Sequence, residues 1–298
     1  MPELPEVQTI VDDLKERVIG KRIKNVWTDW PKYFRLPKGE TNFKRHIIGK
    51  KIIGIERRAK NILFDLSDDH LMLIHQKMSG HLLFGKWAIK KGKWESRVPG
   101  PLLTDRNNQY IRLIFFLSGG DMLALSDLRR FAKVLCGPRE VILNLPELQK
   151  LGPEPLAPQF TFKKFRALFR PSGGAKRGRV KQVLMDPNFI SGIGNIYADE
   201  ILWLAKINPL ARVEKMGKSE LKAIYEATGK VLRKALKLRG SSIDDYRDAL
   251  GRRGKYDLTR QVYQREDEPC FRCKTKIKRI KIGGRSAHFC PVCQRLKP

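Results

Sequence analysis

The sequence predicts a multidomain α+β protein, and three observations predict it. The first half repeats short apolar strands between turn residues, behind one amphipathic helix. A Pro-rich stretch then gives way to a half with helical periodicity. Near the C-terminus, four cysteines stand as two Cys-x-x-Cys pairs. Serial short strands with an accompanying helix suggest a β-sandwich or barrel, and the change of period marks a second domain.

The chain opens Met1-Pro2-Glu3-Leu4-Pro5-Glu6-Val7. Pro5 suits a first helical turn, Glu6 suits its positive end, and Val7, Ile10, Val11, Leu14 and Val18 recur at helical spacing up to Gly20. That helix leaves Pro2 and Glu3 over. If Met1 is removed, Pro2 carries a free secondary amine, which can attack a carbonyl carbon and form an iminium. Glu3 is then close enough to move a proton to or from the adduct. With Met1 attached, the Pro2 nitrogen is an inert amide.

Strands are expected over 22–30, 51–56, 61–66 and 71–76, and a hairpin over 110–125 turning at Ser118-Gly119-Gly120. Residues 84–109 are basic, poorly periodic and contain Gly and Pro. They read as a long loop or an extra hairpin. Lys60 follows Arg57, Arg58 and Ala59 in a turn, a basic knot suited to a phosphate or simply a solvated turn. Met78 lies just past an apolar strand, where core is the alternative. Arg129-Arg130-Phe131 is either a charged turn or a wedge for opened duplex.

Residues 137–158 hold five prolines and are expected to be a linker. Helices are expected over 162–169, 180–185, 196–205 and 219–238. Between the second and third, Gly192-Ile193-Gly194-Asn195 makes tight turns, with Asn195 read as a helix N-cap. A helix N-terminus there would suit a phosphate. Residues 240–259 are rich in Gly, Ser, Asp and Arg and read as a mobile loop rather than core. Finally, Cys270-x-x-Cys273 and Cys290-x-x-Cys293 stand sixteen residues apart, the spacing of a tetrahedral zinc ribbon. Four thiolates leave no open position, so one structural zinc is expected, holding a hairpin with Arg285 near its tip. Two redox pairs are the alternative, but no thioredoxin-like pattern accompanies them. The expected domains are 1–136, 159–262 and 263–298, joined by 137–158.

The net charge is +30, with 61 Lys and Arg against 31 Asp and Glu. Such an excess fits a polyanion better than a small acidic substrate. Membrane surface is the competing partner, but no apolar run approaches a spanning length and no signal peptide is visible. A soluble intracellular protein is expected. A packing protein of similar charge would be shorter, with less core. Cys136 stands alone in an apolar setting and reads as inert core.

Taken in order, Pro2 to Val7, Lys60, Met78, Arg129 to Phe131, Gly192 to Asn195 and the four cysteines resemble the formamidopyrimidine-DNA glycosylase family from end to end. The PELPEV start and the zinc ribbon are its most specific parts. Leu4 favours the enzyme for oxidised purines over its sister for oxidised pyrimidines. The resemblance implies a β-sandwich, a helix-two-turns-helix domain and a zinc ribbon. It also implies a monomeric, cytoplasmic and nucleoid-associated base-excision repair enzyme without an organic cofactor. Pro2 would attack C1′ of the damaged nucleotide, Glu3 would move protons, and Lys60 would bind phosphate and assist. Glu6 would support the site through backbone and DNA. Met78, Arg129 and Phe131 would fill the gap left by the everted base, and Asn195 and Arg285 would grip flanking phosphates. Residues 240–259 would close over that base.

The chain departs from the family pattern in places. The family commonly shows Leu-Gly-Met-Ser-Gly where this chain has Gln76-Lys77-Met78-Ser79-Gly80. It commonly shows Asp-Pro-Arg-Arg-Phe-Gly where this chain has Asp127-Leu128-Arg129-Arg130-Phe131-Ala132. No catalytic group is lost. The alternatives are an oxidised-pyrimidine glycosylase or a non-catalytic binder of damaged DNA.

Overall fold

The computed structural model describes residues 1–169 and 176–296. They divide into two compact units, one of residues 1–149 with 238–257, the other of 150–237 with 258–298.

In the first unit, helix α1 (Leu4–Val18) precedes β1 (Ile23–Thr28), β2 (Phe34–Leu36), α2 (Glu40–Ile47), β3 (Ile52–Arg58), β4 (Asn61–Leu66), β5 (His70–His75) and β6 (His81–Gly85). A small hairpin, β7 (Trp87–Lys90) and β8 (Lys93–Ser96), and helix α3 (Pro101–Thr104) fill the basic segment. Then come β9 (Ile111–Leu117), β10 (Met122–Ser126), β11 (Lys133–Pro138), α4 (Arg139–Leu143) and α5 (Pro146–Gln149).

The strands form a four-stranded sheet, β1-β9-β10-β6, and a five-stranded sheet, β2-β11-β5-β4-β3. Every pairing in them is antiparallel except β11 with β2. Period-two side chains from both sheets meet in one core: Ile62 and Phe64 of β4 and Met72 and Ile74 of β5 on one side, Leu113 and Phe115 of β9 on the other. Helix α1 adds Val7, Ile10, Val11, Leu14 and Val18, all at most 1% exposed. Each such side chain contributes about 1.5–3 kcal/mol. The sandwich with a packed helix is therefore as the sequence predicts.

Residues 240–259 differ from expectation. They hold only one short 3-10 turn, Tyr256–Thr259, yet Tyr246 and Ala249 sit in the sandwich core. Arg239 donates to both Asp13 of α1 and Asp248, at 2.5 and 2.6 Å, and Arg252 donates to Asp248 at 2.9 Å. A Gly- and Arg-rich composition signals mobility only where these charges lack buried partners.

In the second unit, helices α6 (Phe162–Phe169), α7 (Val180–Met185), α8 (Asn195–Leu204) and α9 (Lys218–Lys237) precede the hairpin of β12 (Lys278–Ile282) and β13 (Arg285–Phe289). Among the described residues, no helix is long and apolar enough to cross a membrane.

Candidate active site and metal centre

Glu3 is the N-cap of α1, and it forms a reciprocal capping box with Glu6. The Glu3 amide donates to Glu6 Oε2 at 2.8 Å. The other oxygen, Oε1, accepts from the Ser241 amide at 2.8 Å. A Cβ at Gly240 (φ 78) would lie 2.7 Å from that oxygen, so only glycine fits there. Glu3 and Glu6 are 3% and 1% exposed, and Pro2 is buried beside them. The Met1 ammonium lies 3.9 Å from Asp244 Oδ2.

Lys60 sits in the turn between β3 and β4, next to Ala59 at φ 55. Arg57 ties that turn to α1, donating to Gln8 Oε1 at 2.8 Å and to the Ala59 carbonyl at 2.9 Å. His75 pairs with Asn61 across the sheet. Burial, with Lys77, Lys133 and Lys60 nearby, holds its pKa down at about 3. The knot stays basic while its imidazole stays neutral, with Nδ1 accepting from the Lys77 amide at 3.0 Å.

Met78 and Phe131 are 44% and 49% exposed. The Arg129 guanidinium lies 4.8 Å from the centroid of the Phe131 ring. Their two loops are pinned together by groups that sequence reasoning missed. Asp127, fully buried, accepts from Ser79 Oγ at 2.6 Å, from Tyr33 OH at 3.2 Å and from the Ala132 amide at 3.0 Å. Ser79 Oγ accepts from the Arg129 amide at 3.0 Å. Burial and Asp127 push the Tyr33 pKa up, which keeps the phenol a donor. The available signal was a small hydroxyl and a carboxylate flanking the two motifs.

Gln76 stands where the family pattern has leucine. It is 1% exposed, and neither side-chain polar atom has a hydrogen-bond partner among the described residues. An unsatisfied buried amide costs about 1–3 kcal/mol. Gln76→Leu should therefore raise the thermal unfolding midpoint by roughly 2–4 °C, measured by calorimetry. An unchanged or lower midpoint would show that the amide is satisfied in solution.

His81 is fully buried and its Nε2 lies 3.1 Å from Asn108 Oδ1. The Asn108 amide nitrogen donates to the Pro101 and Gly251 carbonyls, so its oxygen must accept and Nε2 carries the proton. Burial lowers the His81 pKa from 6.5 to about 4. As pH falls from 6.5 towards 4, the unfolded chain takes up a proton that folded His81 refuses, so stability drops; above 6.5 it contributes no slope. Urea midpoints across this window should fall less steeply for His81→Gln than for the parent.

In the second unit, a double turn joins α7 to α8, with Gly192 at φ 87. The N-cap of α8 is Gly194, not Asn195 as the sequence suggested. The extended conformation falls on the glycine, which leaves Asn195 as the first helical residue. Its buried Oδ1 has no hydrogen-bond partner among the described residues. Arg285 opens β13 directly after the Gly283-Gly284 turn and is exposed.

The sulfurs of Cys270, Cys273, Cys290 and Cys293 all lie within 4.8 Å of one another. Cys273 Sγ is 3.4 Å from both Cys290 Sγ and Cys293 Sγ, and Cys270 Sγ is 4.0 Å from Cys293 Sγ. Thiolates on one tetrahedral zinc stand about 3.8 Å apart, given Zn–S bonds near 2.3 Å. The donor set fits zinc. Trp203, Val262 and Ile277 pack around it, and Arg272 stacks 3.6 Å from the Trp203 ring. Lys181, Asp199 and His288, also missed, tie the hairpin to α7 and α8. Buried Asp199 binds Lys181 Nζ at 2.7 Å and His288 Nδ1 at 3.0 Å. Cys136 is buried among apolar side chains and its thiol pKa is pushed up to about 12, as inert core requires.

Three family models match in series. They are described as the formamidopyrimidine-DNA glycosylase N-terminal domain over residues 1–134, the formamidopyrimidine-DNA glycosylase H2TH domain over 151–247, and a zinc finger found in FPG and IleRS over 267–296. The formamidopyrimidine-DNA glycosylase of Streptococcus mutans is 37% identical over 297 residues, covering 99% of this chain and 100% of its own. That of Pelotomaculum thermopropionicum is 35% identical, with all of both chains covered. The Lactococcus lactis Fpg protein, solved with DNA containing Fapy-dG, has a TM-score of 0.83 at 32% identity, covering 98% of this chain and 100% of that one. The same protein solved with oxidised-pyrimidine DNA also has a TM-score of 0.83 at 32% identity, over 99% and 100%.

Proposed function

Because the chain belongs to the formamidopyrimidine-DNA glycosylase family, we propose that it excises oxidised purines from duplex DNA and cuts the strand there by β,δ-elimination. The observation that carries this reading is the buried Pro2-Glu3-Glu6 start, fixed to Ser241 through one carboxylate. With Met1 gone, the neutral amine of Pro2 attacks C1′ of an everted nucleotide. The bond from C1′ to the base breaks, and the base leaves with a proton. Glu3 moves the protons: it protonates O4′ as the C1′–O4′ bond breaks, which opens the sugar and leaves the iminium, and a proton is then taken from C2′. The iminium makes the C2′ hydrogen acidic, so elimination expels the 3′ phosphate and then the 5′ phosphate.

Lys60 sits in the basic knot suited to the phosphate beside the lesion. Met78, Arg129 and Phe131, on two loops pinned by Asp127 and Ser79, fill the gap in the duplex, with Arg129 facing the unpaired cytosine. Eversion costs a few kcal/mol, and intercalating side chains offset it. Asn195 and Arg285 grip the phosphates that flank the lesion, and Glu6 supports the active site through the backbone amides it holds and through the DNA. Zinc, held by Cys270, Cys273, Cys290 and Cys293, supplies a cross-link and no reaction step; no organic cofactor is needed. The protein acts as a monomer in the cytoplasm, on the nucleoid, where its polyanionic substrate lies.

Parallel cutting assays on 8-oxoguanine, formamidopyrimidine and thymine glycol duplexes test the reading, which expects the two purine lesions to be cut faster. Faster cutting of thymine glycol would favour the pyrimidine reading, which the Lactococcus lactis complex with an oxidised pyrimidine supports. Binding without cutting would leave only a damage-binding protein.

A further inference from the structure

The basic hairpin has a face that the excision reaction does not use. Its register pairs Ile89 with Trp94 and Trp87 with Ser96, so these four side chains share one face. Trp87 is buried at the base, while Ile89 is 64% exposed near the tip. Trp94 stands edge-on to Trp27 of β1, with ring centroids 5.3 Å apart, and is backed by Phe116 at 6.0 Å. A groove of about 1020 Å³ runs along this face, with Trp27, Trp87, Trp94 and Tyr110 among its walls.

The charge around the groove is one-sided. Glu95 pairs with Lys90 at 3.1 Å, and Asp29 pairs with Arg112 at 2.6 Å. Asp105, next to Arg106 in the chain, is taken by Arg247 at 2.6 Å. Lys91, Lys93 and Arg106 line the groove and have no carboxylate partner among the described residues. The Lys91-Gly92 turn, with φ 48 and 75, carries the lysines at the exposed tip.

Flat indole rings beside unpaired cations match bases and phosphates together. Paired bases in a duplex hide their faces, whereas unpaired bases stack on aromatic rings. We propose that this groove binds an unpaired stretch of DNA strand, separately from the lesion site. Phosphates meet Lys91, Lys93 and Arg106, and bases lie against Trp94 and its neighbours.

The test uses the full zinc-loaded chain, saturated with a blunt duplex bearing a stable abasic-site analogue, then titrated with a fluorescein-labelled oligothymidylate. Wild type should bind the oligomer and show quenched tryptophan emission. The double variant Lys91→Glu, Lys93→Glu should bind it at least tenfold more weakly. Its log–log salt slope should be smaller by about 1.4, at roughly 0.7 per phosphate contact on a single strand. Trp94→Leu should also lose affinity; if it disturbs the hairpin, the exposed lysine variant still decides. The lysine variant should cut lesion duplex at the wild-type rate, an assay that reports the excision reading separately. Equal oligomer binding by wild type and the lysine variant overturns the proposal. So does displacement of the oligomer by a poly-glutamate peptide at matched charge, which would mark the groove as an acidic-peptide site.

Discussion

Protein that keeps Met1 is expected to give no borohydride-trapped adduct with 8-oxoguanine duplex, whereas protein beginning at Pro2 gives one. The difference is covalent: the lone pair of an acylated nitrogen is delocalised into its carbonyl and does not attack C1′, whereas that of a secondary amine does. Mass measurement of the intact N-terminus assigns each preparation before the assay. Glu3→Gln is the companion variant. Glutamine still accepts a hydrogen bond at the helix cap, so α1 should keep its start, but it cannot take or give a proton. Base excision should fall by about 100- to 10,000-fold, the usual weight of general acid–base assistance. Duplex affinity and the unfolding midpoint should hardly move. Trapping by the Met1-bearing form, or undiminished excision by Glu3→Gln, would remove the chemistry from this end of the chain.

Removal of zinc should have the second largest effect. Metal binding supplies about 10–16 kcal/mol to ribbons of this kind, and the small apolar cluster around the cysteines draws on Trp203 of α8 and Val262 rather than on the β12–β13 strands. Chelation, or Cys290→Ser, should release amide protection over 278–289 in hydrogen exchange and lower duplex affinity about tenfold or more, because Arg285 loses its place. The effect should spread to α7 and α8. Lys181 bonds the Ser286 carbonyl, and Asp199 bonds the His288 amide at 2.9 Å, so both lose a partner when the hairpin opens. Intact protein should hold one zinc per chain by elemental analysis. A chelated protein that keeps its hairpin protected would show that the cysteines are not the cross-link.

Much of this architecture could be read from the chain because its signals are local. Helix α1 repeats its apolar residues with no Gly or Pro inside after Pro5, and the 117–121 turn is marked by two glycines. Cysteine spacing needs no tertiary context. What escaped depends on partners far away in sequence. Helix α2 is short and mostly polar, burying only Phe43 and Ile47. Strand β2 has three residues, and β11 runs into Pro138, so neither shows a period. The buried charges at Asp127, Asp248 and Lys181 look like surface until their partners at Tyr33, Arg239 and Asp199 are known. At Asn195, a glycine one position earlier took the cap, which composition alone does not decide.

The return of residues 238–257 to the first unit has a consequence for how the chain is made. A ribosome that has finished residue 149 has released every strand of the sandwich, but not Tyr246 or Ala249, which complete its interior. At about 5–20 residues per second, the missing stretch emerges roughly five to twenty seconds later. Until then the nascent sandwich is left with an open seam, and the N-terminal glutamates wait for Ser241. A fragment cut at residue 149 would keep that seam for good, so the proposed chemistry cannot be isolated with the half of the gene that encodes Pro2.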